Sequence, residues 1–362
     1  MAGLYIHIPF CEKKCVYCDF YSIESSRDYD AFLTALHTEI DLRARLLPVG
    51  RSFHSIFFGG GTPSLLSGEQ LGGILEVLHA RFRFDPLAEI TVECNPGTVD
   101  VEKLRAYRVA GVNRLSFGVQ SFHADDLAFL SRIHSAEEAE AAIRMAHDAG
   151  IKNVNLDLMF SLPGQTPERW MHNLERARAL GTTHLSCYSL TVEQGTPLAR
   201  MVTSGMVGMP PEESDAALFE TTMETLAGWG FRQYEVSNYA LPGYESRHNL
   251  TYWRHEDYLG FGPSAHSTMN GRRWWNVSSL HSYLERVGAG QLPESGGEFL
   301  SVDTLRSEHI FLRLRSEGIS LPDFTRLHGS DLYADNRAFI DRCIADGMLV
   351  IADERLMLTR KG

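Results

Sequence analysis

The chain has 362 residues, 44% of them hydrophobic and 22% charged, with 34 basic against 46 acidic side chains and a net charge of −12. Such a length and composition predict a globular protein with one large core, or one core and a small appended domain. No basic stripe runs along any helical segment, so a nucleic-acid partner is not expected.

No apolar run reaches the roughly 20 residues of a membrane span, and the opening MAGLYIHIPFC lacks a basic n-region and a continuous apolar h-region, so a cytoplasmic location is expected. Of the six cysteines, Cys11, Cys15 and Cys18 crowd together, while Cys94, Cys187 and Cys343 stand far apart in apolar surroundings. The scattered three read as small buried hydrophobes rather than a disulfide framework.

In chain order, strand-like runs fall at Leu4–Ile8, His54–Phe58, Glu89–Glu93, Asn113–Phe117, Asn153–Met159 and His184–Leu190, with a seventh near Arg232–Val236. Amphipathic helical segments alternate with them. Ser135 and Glu138 form a capping box ahead of an apolar face of Ala139, Ala142, Ile143 and Ala146, and Gly150 is a stop signal. The alternation predicts an α/β fold, a partial (β/α)6-type parallel barrel over residues 1–236. Residues 237–277, rich in aromatics and histidine without a clear period, read as a loop-rich connecting segment. Residues 278–362 read as a small, mostly helical, winged-helix-like C-terminal domain, with helices at Ser279–Val287, Thr304–Glu317 and Asp335–Asp346 and two closing strands.

In a parallel barrel, the C-terminal ends of the strands and the loops after them build the active site. Cys11 to Cys18 follow the first strand, the triplet Gly59-Gly60-Gly61 the second, and Gln120 the fourth; Glu93 ends the third, and Asp157 lies late in the fifth. The strongest chemical signal is CxxxCxxC at Cys11, Cys15 and Cys18. Three thiolates on one loop suit a 4Fe-4S cluster and leave one iron open to a small chelating molecule. Tetrahedral structural zinc asks for a fourth cysteine or histidine, and His7 lies inside the strand.

The CxxxCxxC run with Tyr17, followed by GGGTP at 59–63, resembles the radical SAM enzymes. The order Tyr5, HIPFC, GGGTP, ECNP at 93–96, GVQSF at 118–122 and LPGQT at 162–166 resembles their coproporphyrinogen dehydrogenase (HemN) group, over nearly the whole chain. That resemblance implies a 4Fe-4S cluster on Cys11, Cys15 and Cys18 whose open iron is chelated by S-adenosylmethionine (SAM). It also implies SAM contacts from Tyr5, Gly60, Gly61, Thr62, Glu93, Gln120, Arg132 and Asp157, with Tyr17 beside the cluster.

Two departures stand out. The oxidatively decarboxylating members carry CxxxCxxCxC, whereas Phe20 stands two residues beyond Cys18; and ten residues precede Cys11 where those enzymes have an extension. In addition, His248-Asn249-Leu250-Thr251-Tyr252-Trp253 matches the HNxxYW motif of a heme-chaperone branch. This implies heme binding by His248, Asn249, Tyr252 and Trp253, since histidine is a common iron ligand and Tyr and Trp offer flat faces to a porphyrin. The expected partners are then heme, acceptor hemoproteins such as respiratory cytochromes, membrane-associated acceptors among them, and a second copy in a homodimer. The competing expectation is an oxygen-independent coproporphyrinogen III dehydrogenase, which removes hydrogen from propionate side chains through a 5'-deoxyadenosyl radical. Phe231, Tyr234, Tyr239 and Tyr244 are candidates to flank a pocket or a subunit contact.

Overall fold

Alternating apolar strands and amphipathic helices return the chain repeatedly to the same edge, and in the computed structural model, which describes residues 2–25, 27–47 and 50–362, this yields one large twisted sheet. Six strands, β1 (Ala2–Ile8), β2 (Ser52–Gly60), β3 (Arg83–Cys94), β4 (Arg114–Gln120), β5 (Asn153–Phe160) and β6 (His184–Ser189), lie parallel in sequence order. A short hairpin, β7 (Arg232–Gln233) and β8 (Asn238–Ala240), runs antiparallel on β6. The expected seventh strand is thus only two residues long and lies at the sheet's edge.

The sheet continues on the other side of β1. There β9 (Asp257–Phe261) pairs parallel to β1, followed by antiparallel β10 (His266–Met269), β11 (Arg272–Asn276) and β12 (Glu294–Phe299). The order ends at β12 on one side and β7 on the other, and these do not pair, so the barrel is open. The segment 237–277 therefore departs from the loop-rich expectation: it supplies four strands and the helix Arg247–Trp253. Its strands are only three to five residues long, too short for an alternation to show, and β9 is recruited by pairing with a strand some 250 residues earlier.

The helices cover the outer face. The helix Ala136–Asp148 carries the expected Ser135–Glu138 capping box and buries Ala139, Ala142, Ile143 and Ala146, and Gly150 follows it with φ +83°. Outward-facing Leu115, Phe117 and Val119 of β4 are buried in the main core, while Ser116, Gly118 and Gln120 face inward to the cavity described below.

The C-terminal unit also starts later than 278. The helix Leu280–Gly288 buries Leu280, Tyr283 and Val287 in the main core, and β12 extends the main sheet. From Val302 onward, four helices pack with a three-stranded antiparallel sheet, β13 (Ile319–Ser320), β15 (Arg355–Leu358) and β14 (Leu349–Ala352), around a separate core of Ile319, Phe324, Leu332, Ile340, Leu349 and Leu356. Among the described residues no helix is long and apolar enough to cross a membrane.

Candidate functional site

The cysteine loop is anchored before it can present a thiol. Phe10 and Ile23 form a bridge, the Cys11 amide donates to the Ile23 carbonyl at 3.0 Å and the Ile23 amide to that of Pro9 at 2.8 Å. Lys14 ties the loop further, its amide donating to Glu24 Oε1 at 2.6 Å and its Nζ to the Phe20 carbonyl at 2.8 Å. Tyr17 packs into a small apolar cluster with Leu130, Leu162, Leu190 and Leu198.

The glycine triplet brings the next loop against this one. The Gly61 amide donates to the Ile8 carbonyl at 2.8 Å and the Thr62 amide to that of Phe10 at 2.7 Å. A Cβ on Gly61 would lie 2.5 Å from the Phe10 carbonyl oxygen, and one on Gly60, which has φ +107°, 2.6 Å from the His7 ring. Glycine is thus required here by the approach of two protein segments, whatever ligand lies above them.

These loops and the strand ends enclose a cavity of about 440 Å3. It is lined by Cys11, Cys15, Cys18 and Tyr17, by Gly60, Gly61 and Thr62, and by Glu93, Gln120, Arg132 and Asp157. All three expected cluster ligands, Tyr17 beside them and seven of the eight expected SAM contacts therefore meet in one place. Tyr5 does not line it; its hydroxyl lies 3.1 Å from His7 Nδ1, in the wall of a second, neighbouring cavity. Of the lining residues that the motifs did not single out, one is charged and buried within a strand: Arg114, 1% exposed, at the start of β4. Its place was readable in the alternation Arg114, Ser116, Gly118, Gln120, a polar or small residue at every second position of an apolar strand.

Burial sets the electrostatics. It pushes the Glu93 carboxyl up to about 8, helped by the neighbouring Asp157 and opposed by the Gly60 amide, which donates to Glu93 Oε2 at 3.3 Å. Asp157 is raised too, chiefly by burial, against hydrogen bonds that include Asn155 Nδ2 at 2.8 Å and Ser116 Oγ at 3.4 Å. Two carboxylates sharing a dry wall cannot both ionise cheaply, so this wall favours a ligand carrying positive charge or hydroxyl donors. Arg132 supplies the opposite sign: its guanidinium donates to Cys15 Sγ at 3.4 Å and to the Gly118 carbonyl.

The residues fit a cluster with a chelated amino-acid nucleoside. Thr62 Oγ1 donates to Cys11 Sγ at 3.6 Å and Arg132 to Cys15, so two of the three sulfurs have donors suited to a thiolate. Gln120 Oε1 and Arg132 Nε are buried without a partner among the described residues, and Gln120 holds a left-handed φ of +69°. Buried groups left without partners at a cavity wall suit recognition of a polar ligand. Among the described residues no three His, Cys, Asp or Glu side chains converge as they would on a single ion; a four-iron cube takes each thiolate on a different iron.

The HNLTYW motif forms the helix Arg247–Trp253, capped by Ser246, and its residues part company. Asn249 lines the first cavity and Tyr252 the second; Trp253 is half-buried and lines neither. His248 is 1% exposed, with Nδ1 2.9 Å from Ser55 Oγ and Nε2 2.8 Å from the Tyr252 hydroxyl. Its ring stacks on Phe57 at 5.0 Å, and burial pushes its pKa down to about 3. Both ring nitrogens are engaged inside the wall, where His248 holds the Tyr252 hydroxyl in place. Tyr234 and Tyr239 are core residues, Tyr234 with its hydroxyl 2.7 Å from His184 Nε2, and Phe231 is buried with them.

Comparison with known proteins agrees with this geometry. Residues 5–177 match the family model described as the radical SAM superfamily, and residues 300–362 that of the HemN C-terminal domain. The chain is 38% identical over 365 residues to a Mycobacterium tuberculosis protein named heme chaperone HemW, covering 99% of this chain and 91% of that one. It is 36% identical over 367 residues to the Bacillus subtilis protein of the same name, covering 100% and 96%. Among solved structures, the coproporphyrinogen III oxidase HemN of Escherichia coli, described as a radical SAM enzyme, superposes with a TM-score of 0.83 at 26% identity, covering 100% of this chain and 87% of that one.

Proposed function

Because the chain belongs to the HemW family of the radical SAM superfamily, we propose that it is a heme chaperone that binds heme and hands it to acceptor hemoproteins. The observation that carries this reading is the end-to-end similarity to relatives named heme chaperone. Phe20 supports it, standing where the decarboxylating pattern has a fourth cysteine.

In this reading Cys11, Cys15 and Cys18 would hold a 4Fe-4S cluster, and the cavity they line would take SAM. The cluster supplies an open iron to chelate the amino and carboxylate groups of SAM and a source of one electron. The chain's own residues do the rest. Arg132 and Thr62 hold two cysteine sulfurs by donated hydrogen bonds. The Glu93–Asp157 wall accepts from hydroxyl or ammonium donors, and Gln120 offers a carbonyl without another partner. Arg114 sits beside both carboxylates and draws each toward its ionised form.

The test is anaerobic reconstitution with iron and sulfide, followed by titration with heme and mixing with an apo-cytochrome. Expected are labile iron and sulfide that disappear in Cys15→Ala, a shifted Soret band in the wild type, and appearance of holo-cytochrome. Absence of any stable heme complex would refute the proposal. A second reading, coproporphyrinogen III dehydrogenase, is favoured by the whole-chain superposition on that enzyme. Anaerobic incubation with coproporphyrinogen and SAM separates the two: the chaperone reading expects no protoporphyrinogen.

A further inference from the structure

Beside the cluster cavity lies a second one of about 390 Å3, in the range of small-molecule sites. Tyr5, His7, Tyr252, Tyr258 and His266 line it, together with Phe20, which also lines the first cavity. Phe20 is 66% exposed, a large apolar ring left uncovered in the partition between the two. Tyr252 and Tyr258 meet edge to face at 4.7 Å. The wall is therefore largely aromatic and flat-sided, with hydroxyls and the Asp19 carboxylate also lining it, and its flat faces suit a porphyrin.

Three histidines stand in or behind this wall, and two are already spent. His7 places Nδ1 3.1 Å from the Tyr5 hydroxyl and Nε2 2.9 Å from the Tyr21 carbonyl. His248 has both nitrogens bound to Ser55 and Tyr252. His266, on β10, is exposed, is held by stacking on Trp275 at 5.9 Å, and makes no ring hydrogen bond among the described residues. Partial burial and the nearby Arg273 lower its pKa, favouring the neutral imidazole, the form that ligates iron.

We infer that this second cavity is the heme seat, with the porphyrin against Tyr252, Tyr258 and Phe20 and His266 as the iron ligand. The assignment rests on the heme-chaperone reading and deepens it. It gives the HNLTYW motif a physical role without iron ligation: His248 is a positioning residue that fixes the Tyr252 hydroxyl at 2.8 Å, and Tyr252 faces the ring. It also places Phe20 between the porphyrin and the cluster cavity.

The experiment is a heme titration of the reconstituted full chain, wild type against His266→Ala, His266→Gln and the control His281→Ala, followed by Soret absorption and low-temperature EPR. Expected is a histidine-ligated spectrum in the wild type and in H281A. Both His266 variants should lose it with their cluster content intact, and free imidazole should restore it. A parallel measurement needs no variant: diethyl pyrocarbonate modification read by peptide mass spectrometry should mark His266 in the heme-free protein and miss it once heme is bound, with His281 marked in both. Unchanged ligation in the His266 variants, or His266 equally modified with and without heme, would overturn the site while leaving the chaperone reading standing. A wild type that forms no heme complex would overturn both.

Discussion

His248→Phe tests whether the motif histidine is a neutral prop inside the wall. The substitution keeps a flat ring against Phe57 and removes two hydrogen bonds, leaving the fully buried Ser55 hydroxyl without its partner and freeing the Tyr252 hydroxyl. An unsatisfied buried hydroxyl costs about 1–3 kcal/mol, and the slightly larger ring adds about 1 kcal/mol beside Gly3, so the expected loss at pH 7.5 is about 3 kcal/mol. The pH dependence is the sharper test. The His248 pKa is about 3 in the folded protein against 6.5 unfolded, so the unfolded chain takes up the proton first. Wild-type stability is whole above pH 6.5 and falls as pH drops toward 3, by about 2 kcal/mol at pH 5 from this residue alone. Phenylalanine has no proton to bind, so the deficit of the variant should shrink to about 1 kcal/mol at pH 5. Urea unfolding of the apo protein at both pH values measures it. A deficit that is constant or larger at pH 5 would refute a buried, neutral His248.

Glu93→Gln should separate stability from binding. The folded-state carboxyl pKa of about 8, raised by burial and Asp157, means that folding opposes ionisation, a penalty absent below pH 4.5 that grows as pH rises toward 8. The apo variant should therefore be more stable than wild type by about 4 kcal/mol at pH 7.5 and nearly equal at pH 4.5, while SAM affinity, read from the EPR change of the reduced cluster, falls. Gly61→Ala should reduce iron and sulfide content after reconstitution to well under half, because its Cβ would meet the Phe10 carbonyl 2.5 Å away and part the two loops; full cluster content would show that the loops are not held by this contact. Arg132→Lys should retain iron but shift the cluster's reduction potential, since one ammonium cannot serve Cys15 Sγ and the Gly118 carbonyl together; a potential unmoved from wild type would contradict that role.

Local chemistry made much of the site legible. Three thiols within eight residues, a glycine triplet after a strand and a carboxylate at a strand end are each signatures of a few adjacent positions, and the parallel topology then gathers strand ends at one face. The six central strands were readable for the same reason, each an apolar run closed by a turn. The unreadable parts depend on distant partners. The place of His248 inside the wall shows only once Ser55, 193 residues earlier, is seen on its Nδ1. Nothing local to Tyr5 tells that its hydroxyl lies on His7, in the wall of the second cavity. The short β9–β11 strands carry no period of their own and form because β1 has an open edge for β9 to fill. The helix Leu280–Gly288 looks like the start of the C-terminal unit, yet its buried face completes the main core.

That open edge also bears on how two ligands can share one fold. β1 carries Tyr5 and His7 toward the second cavity and leads directly into the loop bearing Cys11, so a displacement of either wall is felt by the other. The link is short: His7 holds the Tyr21 carbonyl at 2.9 Å, and Tyr21 follows Phe20. The ring of His7 also sits against Gly60, where an added Cβ would lie only 2.6 Å away. Heme in the second cavity would press on Phe20 and Tyr5, and SAM in the first would press on Gly60 and Glu93. Binding at one site can alter affinity at the other only if each ligand favours the same arrangement of this shared strand and loop, and the effect must then be reciprocal. Measuring the heme dissociation constant with and without SAM, and the SAM constant with and without heme, therefore yields two ratios that must agree. Equal ratios different from one would establish coupling through the β1–Phe20 wall, and Phe20→Ala should bring both toward one. Ratios of one in the wild type would show that the wall separates the sites without linking them.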